Sequence, residues 1–294
     1  MKKIGFIGVG IMGKSMVKNL MKAGFELHIY ARTKSKVEDV IGEGAQFHES
    51  IKDCVQDCDA VITIVGFPQD VEEVYFDEGN ILDSAKEGAY LIDMTTTSPQ
   101  IAEKIYAEGT KRGFHVMDAP VTGGDTGAKA GTLSILVGGE KEDYEACMPL
   151  FEAMGTNINY QGKAGCGQHC KLANQIMIAG TLSGVCEALT YAKEQGLDPE
   201  VFMKSVATGA AGSKQLDTFG PKILKDDYAP GFFMKHFIKD MKLALIEANR
   251  KGLSLDVLSM VLANYEELEQ EGYGDLGTQA LMKFYDEEHR NTEE

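Results

Sequence analysis

Apolar residues along this chain come first in short, nearly unbroken runs and later in a helical rhythm. Ile4-Gly5-Phe6-Ile7, Glu26-Leu27-His28-Ile29-Tyr30, Ala60-Val61-Ile62-Thr63-Ile64-Val65, Ala89-Tyr90-Leu91-Ile92-Asp93, Phe114-His115-Val116-Met117-Asp118-Ala119 and Leu133-Ser134-Ile135-Leu136-Val137-Gly138 each read as a buried β-strand. Between them lie helical stretches, the first running from Ser15 to Ala23 and stopped by Gly24. Strands that alternate with helices predict a mostly parallel sheet covered on both faces. After Gly162 the strand pattern disappears. Gly167 to Gly196 reads as one long helix, and the remainder as helices separated by Gly-Leu turns at 196–197 and 252–253. The expected architecture is therefore an α/β domain over residues 1–162 and an all-α domain over residues 163–294, joined by a long inter-domain helix. A polar, acidic tail after Phe284 is expected to fray.

The first strand runs straight into Gly8-Val9-Gly10-Ile11-Met12-Gly13. In a G-x-G-x-x-G turn of this kind the first glycine lets the chain turn sharply, the second lets the backbone approach a pyrophosphate, and the third lets the new helix pack closely on the strand. The amides and positive dipole end of that helix then face the phosphates. Set between a strand and a helix of a βαβ unit, the string predicts a Rossmann dinucleotide-binding domain, with residues Gly8, Val9, Gly10, Ile11, Met12 and Gly13 around the cofactor. At the end of the second strand an NAD-binding protein usually carries an acid, but here the chain reads Ala31-Arg32-Thr33-Lys34-Ser35-Lys36. Arg32 offers a planar fork for a 2'-phosphate, Thr33 a hydroxyl, and Lys34 or Lys36 further charge. NADP(H) is the expected cofactor, with NAD(H) as the alternative.

Composition narrows the partners. With 294 residues, 44% of them hydrophobic, the chain can bury two medium-sized cores. Its formal charge of -16 speaks against a nucleic-acid or anionic-membrane surface, so any anion site must be local. No uninterrupted apolar run reaches the ~20 residues that span a bilayer, and Met1-Lys2-Lys3 before a strand lacks the pattern of a secretion signal. A cytoplasmic protein is expected. The six cysteines form no C-x-x-C pair; Cys54 with Cys58 and Cys166 with Cys170 stand four apart, with no complementary ligand cluster, so no metal is expected.

Three further segments carry a family resemblance. Asp118-Ala119-Pro120-Val121-Thr122-Gly123-Gly124, continuing to Gly127-Ala128-x-Ala130-Gly131-Thr132-Leu133, resembles the substrate-binding signature of the β-hydroxyacid dehydrogenases. Gly165-x-Gly167-x3-Lys171-x2-Asn174 is similar to that family's catalytic helix, and Phe232-x2-Lys235-His236-x2-Lys239-Asp240 to its third box. The order is kept from Gly5 to about Ala280. Within the family, Arg-Thr after the second strand is most similar to the NADPH-dependent glyoxylate and succinic semialdehyde reductases. The resemblance implies that Lys171 and Asn174 are catalytic, that Thr122, Gly123, Gly124, Phe232 and Lys239 bind substrate, and that Val65, Gly66, Phe67, Thr96 and Lys239 reach the cofactor. It also implies a homodimer or homotetramer.

The chemistry has its own logic. Reducing an aldehyde that carries a carboxylate needs a hydride donor, a proton donor at the carbonyl oxygen and an anion clamp. Gly123-Gly124 after a strand exposes backbone amides, and the Thr122 hydroxyl adds a donor for a carboxylate. The family more often has Ser at 122, and the extra methyl leaves the preferred substrate size open. Lys171 and Asn174, three apart on one helix, share a face; the lysine can give a proton to the forming alkoxide while the amide orients it. A helix lysine is otherwise most often solvated, and Lys239-Asp240 reads equally as a surface ion pair. The expected substrate is a small aldehyde acid or hydroxy acid, glyoxylate or succinic semialdehyde first, 3-hydroxyisobutyrate or tartronate semialdehyde as the alternative. A catalytically silent dinucleotide sensor is the reading from another class.

Overall fold

The computed structural model describes residues 1–285, so most of the expected acidic tail lies outside the described residues. It divides into two compact units, one from Met1 to Lys171 and one from Leu172 onward.

The first unit is built on a nine-stranded sheet of β1 (Lys3–Ile7), β2 (Glu26–Tyr30), β3 (Gln46–Phe47), β4 (Ala60–Thr63), β5 (Tyr90–Asp93), β6 (His115–Asp118), β7 (Val121–Thr122), β8 (Leu133–Gly139) and β9 (Gly155–Gly162). Strands run in the order 3-2-1-4-5-6-8-7, with β9 on β8. The first six are mutually parallel, β8 is antiparallel to β6 and β7, and β9 is parallel to β8. The parallel order 3-2-1-4-5-6 is that of a doubly wound dinucleotide-binding sheet. Successive residues serve opposite faces. Phe6, Ile62, Ile92 and Met117 enter one core, whereas Ile7, Val61, Leu91 and Val116 enter the other. Double burial explains why these strands read as unbroken apolar runs.

The structure amends several sequence expectations. The first helix spans Ile11–Lys22 and so begins four residues before Ser15, because Gly10 ends the extended segment and Gly13 is helical. The strand expected to reach Val65 stops at Thr63, although the Ile64 amide still donates to the Ile7 carbonyl oxygen of β1 at 3.0 Å. Strands β3, β7 and β9 were without a sequence signal. Two are only two residues long, and β9, Gly-Thr-Asn-Ile-Asn-Tyr-Gln-Gly, is largely exposed.

A helix of 29 residues, Cys166–Glu194, begins in the first unit and continues into the second. By length and composition it could cross a bilayer, contrary to the expectation from uninterrupted runs. Leu182, Cys186, Leu189 and Ala192 are buried, and the first three belong to the second unit's core, so part of its apolar character serves the protein's own packing. The second unit adds helices Pro199–Val206, Lys214–Ile223, Met234–Arg250 and Asp256–Gln270. Gly196 and Gly252 adopt φ of 73° and 69°, the left-handed conformation that ends a helix at each expected Gly-Leu turn. Phe237, Met241, Val261, Tyr265 and Leu268 are fully buried in its core.

Candidate active site

The three glycines after β1 are held by three different constraints. A Cβ on Gly8, whose φ is +97°, would lie 2.1 Å from the Ile64 carbonyl oxygen, and one on Gly13 would lie 2.2 Å from that of Gly8. Both positions are closed by the protein's own backbone. A Cβ on Gly10 would meet nothing within 4 Å. Gly10 is the N-cap of the Ile11–Lys22 helix, lends it no side-chain hydrogen bond, and no acid stands in the first turn. The positive end of this helix is thus left for an external anion, and the open space over Gly10 fits the close approach of a diphosphate. Of the neighbours, Val9 is buried in the core while Ile11 is exposed and Met12 half-buried. Gly10→Ala is expected to keep the wild-type melting temperature yet lose dinucleotide affinity, and Gly13→Ala to lower the melting temperature, both readable by thermal scans with and without cofactor.

The turn after β2 is more structured than a solvated basic loop. The Arg32 Nη2 donates to Asp70 and, at 3.2 Å, to Glu73, both on the Pro68–Phe76 helix that follows β4. The hydrogen bond from Asp70 leads in raising the guanidinium pKa. Asp70 also accepts from the Phe67 amide at 2.9 Å, so one carboxylate caps a helix and engages Arg32. Thr33 and Lys36 are exposed, and Lys34 pairs with Glu49 at 3.4 Å.

The loops after β4 and β5 are tied together. The Val65 amide donates to Thr95 Oγ1 at 3.0 Å, the Thr95 amide to Asp93 Oδ1 at 3.1 Å, and Thr63 Oγ1 to the same oxygen at 2.7 Å. Val65, Gly66, Phe67 and Thr96 are half-buried, while Thr95 and Thr97 are buried. Burial pushes the Asp93 carboxyl up to about 6 against these hydrogen bonds. A raised carboxyl pKa favours the protonated folded form, so this group's contribution to stability falls as pH rises towards 6. Gly8, Arg32, Val65 and Thr96 all follow the carboxyl ends of parallel strands, where such sheets bind ligands.

At the end of β6 the chain turns through β7 into Gly123 and Gly124, with φ of +133° and +65°, a conformation that side-chain-bearing residues rarely adopt. Thr122 is half-buried and its hydroxyl makes no hydrogen bond to another described residue. Asp118, buried and with its pKa raised by that burial, accepts from the Gly165 amide through Oδ1 and from the Gln168 amide through Oδ2, each at 2.8 Å. It caps the start of the long helix. A Cβ on Gly167 would stand 2.3 Å from the Leu136 carbonyl oxygen, and Gly165 has φ +85°, so both glycines of this motif answer to backbone approach or turn. Lys171, on the next turn, is 7% exposed, which removes the reading of a solvated helix lysine.

In the second unit Asn174 Nδ2 donates to Gln175 Oε1 at 2.8 Å, and Gln175 Nε2 to Asp240 Oδ2 at 2.7 Å. Asp240 is fully buried and ion-paired with Lys239 at 2.9 Å, the lysine side chain being 12% exposed. The acid of the pair is therefore interior and the lysine half-buried, and a chain of hydrogen bonds joins Asp240 to Asn174. Phe232 is 36% exposed and packs against His236 and Phe237. Among the described residues no group of three His, Cys, Asp or Glu could hold a metal. Cys54 and Cys58 are core thiols, burial pushing Cys58 up to about 12.

Asp70, Glu73, Gln168 and Gln175 had no assigned role in the sequence, and Asp240, read there as part of a surface ion pair, is fully buried. For Asp70 a signal existed, an acid two residues after Pro68 at a helix start; the others work through partners remote in the chain.

Comparisons with known proteins agree with this architecture. Residues 3–162 match the NAD-binding domain of 6-phosphogluconate dehydrogenase, and residues 165–285 the NAD-binding region of NADP-dependent 3-hydroxyisobutyrate dehydrogenase. The chain is 50% identical to an uncharacterized oxidoreductase of Bacillus subtilis, over 97% of this chain and 99% of the relative. It is 45% identical to a probable mitochondrial 3-hydroxyisobutyrate dehydrogenase-like protein of Arabidopsis thaliana, over 95% of this chain and 84% of the relative. The structure of a Mycobacterium tuberculosis 3-hydroxyisobutyrate dehydrogenase with L-serine matches with a TM-score of 0.87 at 27% identity, covering 96% of this chain and 98% of that one. The chain belongs to the β-hydroxyacid dehydrogenase family, NAD(P)-dependent oxidoreductases that act on the CH–OH group of hydroxy acids.

Proposed function

We propose that this protein reduces a small aldehyde acid with NADP(H) as the favoured cofactor, glyoxylate and succinic semialdehyde being the leading substrates. The observation that carries the reading is the buried Lys171 on a helix whose start is fastened by Asp118. An ammonium kept out of water interacts more strongly with an oxygen that gains negative charge than a solvated one does. Gly8 to Gly13 would hold the diphosphate, Arg32, Thr33 and Lys36 the 2'-phosphate, and Val65, Gly66, Phe67 and Thr96 the rest of the cofactor. When bound, the reduced nicotinamide supplies the hydride. Lys171 polarises the carbonyl and delivers a proton to its oxygen, Asn174 orients the reacting groups, and Thr122 with the amides of Gly123 and Gly124 holds the substrate carboxylate. Lys239 adds positive charge and Phe232 an apolar wall. In the oxidative direction Lys171 takes the proton back.

A second reading keeps the residues and changes the substrate, to 3-hydroxyisobutyrate or tartronate semialdehyde; the names of the Arabidopsis and Mycobacterium proteins support the former. A homodimer or homotetramer in the cytoplasm is proposed with either. Steady-state rates with each of these acids, with NADPH and with NADH, test the assignment; no turnover with any, while NADPH still binds, would leave the silent sensor.

Thr122→Ala is expected to raise KM for the acid about tenfold, the usual scale of a lost hydrogen bond to a charged group, with little change in kcat. A clamp that grips substrate and transition state alike contributes uniform binding. An aldehyde without a carboxylate should be insensitive to the change; equal losses with both would move the anion site elsewhere.

A further inference from the structure

Gln168 stands one turn before Lys171 and is fully buried. Its Nε2 donates to the Thr95 carbonyl oxygen at 2.7 Å, and its Oε1 accepts from the Thr97 amide at 3.0 Å. One carboxamide thus grips the loop after β5 on both sides of Thr96. The Gln168 backbone amide meanwhile donates to Asp118 Oδ2 at the end of β6. Thr95 carries the tie onward, since its hydroxyl accepts from the Val65 amide of the loop after β4.

We propose that Gln168 is a positioning residue for the reaction: its side chain sets the spacing between the Met94–Thr97 loop and the first turns of the helix that carries Lys171. This rests on the reading of Lys171 as the proton donor. The chemistry of the side chain is specific. A neutral group of this length that donates and accepts at once must be an amide, and here the loop presents one carbonyl and one N–H. Methionine would fill the space and leave both buried backbone groups without a partner. The opposite side of the same turn cannot give way, because Asp118 holds two amides and Gly167 lies against the Leu136 carbonyl with no room for a Cβ. With the amide removed, the loop and the helix keep their folds but lose the contact that fixes one against the other. A proton donor must reach its acceptor within about 2.6–3.2 Å, and an error near 1 Å costs on the order of 100-fold.

The test is a double-mutant cycle on the full-length enzyme with the aldehyde acid and nucleotide it turns over. Gln168→Met is expected to lower kcat about 10- to 100-fold, with KM for the acid within a few-fold of wild type. Combined with Lys171→Ala it should cost scarcely more than Lys171→Ala alone, since a residue that acts through Lys171 has nothing left to position. Losses that multiply, or wild-type kcat per folded molecule in Gln168→Met, would overturn the proposal. Gln168→Glu keeps the acceptor for Thr97 and can donate to Thr95 only when its carboxyl is protonated, so its kcat should approach wild type as pH falls, and it carries the same cycle if the methionine variant does not fold. Failure of both variants to fold would also overturn it, for Gln168 would then hold the fold and not set a spacing. Full turnover in Lys171→Ala, by contrast, would remove the proton-donor reading itself, whatever the Gln168 variants do.

Discussion

Lys171→Ala is expected to lower turnover by about 100-fold or more, the usual scale for loss of a positioned general acid. The dissociation constant of the nucleotide should stay close to wild type, because the residues assigned to the cofactor lie in the loops after β1, β2, β4 and β5 and, for Lys239, on the Met234–Arg250 helix, and none of them is replaced by the change. Truncation replaces one side chain of a 29-residue helix, and a thermal scan beside the titration checks that the fold is kept. Lys171→Arg should not restore activity. A guanidinium does not give up its proton near neutral pH, and its planar fork presents donors in a different geometry. Steady-state reduction of glyoxylate and succinic semialdehyde, set beside a fluorescence titration with NADPH, reads both quantities at once. Retained turnover in Lys171→Ala would move suspicion to Lys239, a half-buried amine paired with the buried Asp240.

Arg32→Asp is expected to weaken NADPH by roughly 1 to 3 kcal/mol while leaving NADH little changed, the range of a charge-assisted fork lost to a phosphate. The ion pairs of Arg32 sharpen this expectation. Its Nη2 is already engaged by Asp70 and Glu73, and the Arg32 side chain is 62% exposed. Arg32→Asp also sets a third carboxylate beside Asp70, whose side chain is 19% exposed, and Glu73, so its melting temperature is read beside that of Arg32→Ala, in which only the pairs are lost. The same two carboxylates compete with a 2'-phosphate for the guanidinium and repel it. Glu73→Gln is accordingly expected to tighten NADPH a few-fold, more at low salt than at high salt. Equal use of NADPH and NADH by the unmodified protein, unmoved in Arg32→Asp, would sink the assignment of Arg32 to the 2'-phosphate.

How much of this was open to reading depended on where the partners of a residue lie along the chain. The six apolar strands were legible because each is buried on both faces, and β2 is observed over the predicted Glu26–Tyr30. The long helix was legible for a similar reason. By contrast β9 has Ile158 as its one aliphatic side chain, and a strand that buries so little leaves no periodicity. The glycines after β1 could be assigned roles from spacing, and the structure separates those roles by what a Cβ would strike. Arg32 could be singled out, but its acids lie 38 and 41 residues away on a helix whose docking no local pattern announces. Lys171 stood out only through the family resemblance; its burial is a tertiary fact. Gln168 was silent altogether, since an amide in a helix has no signature until the loop it grips, 71 and 73 residues earlier, is folded beside it.

The polar character of β9 has a bearing on how the protein fares in a concentrated solution. It closes one end of the sheet, paired with β8 on one side, and offers the solvent Thr156, Asn157, Asn159 and Tyr160 rather than an aliphatic row. At the other end β3 is two residues long. Short or polar borders recruit foreign strands poorly. The segments best suited to cross-β stacking, β1 and β4, sit in the middle with a partner on either side. Strand-on-strand aggregation through this sheet therefore has to wait for the sheet itself to open rather than for the fraying of an edge.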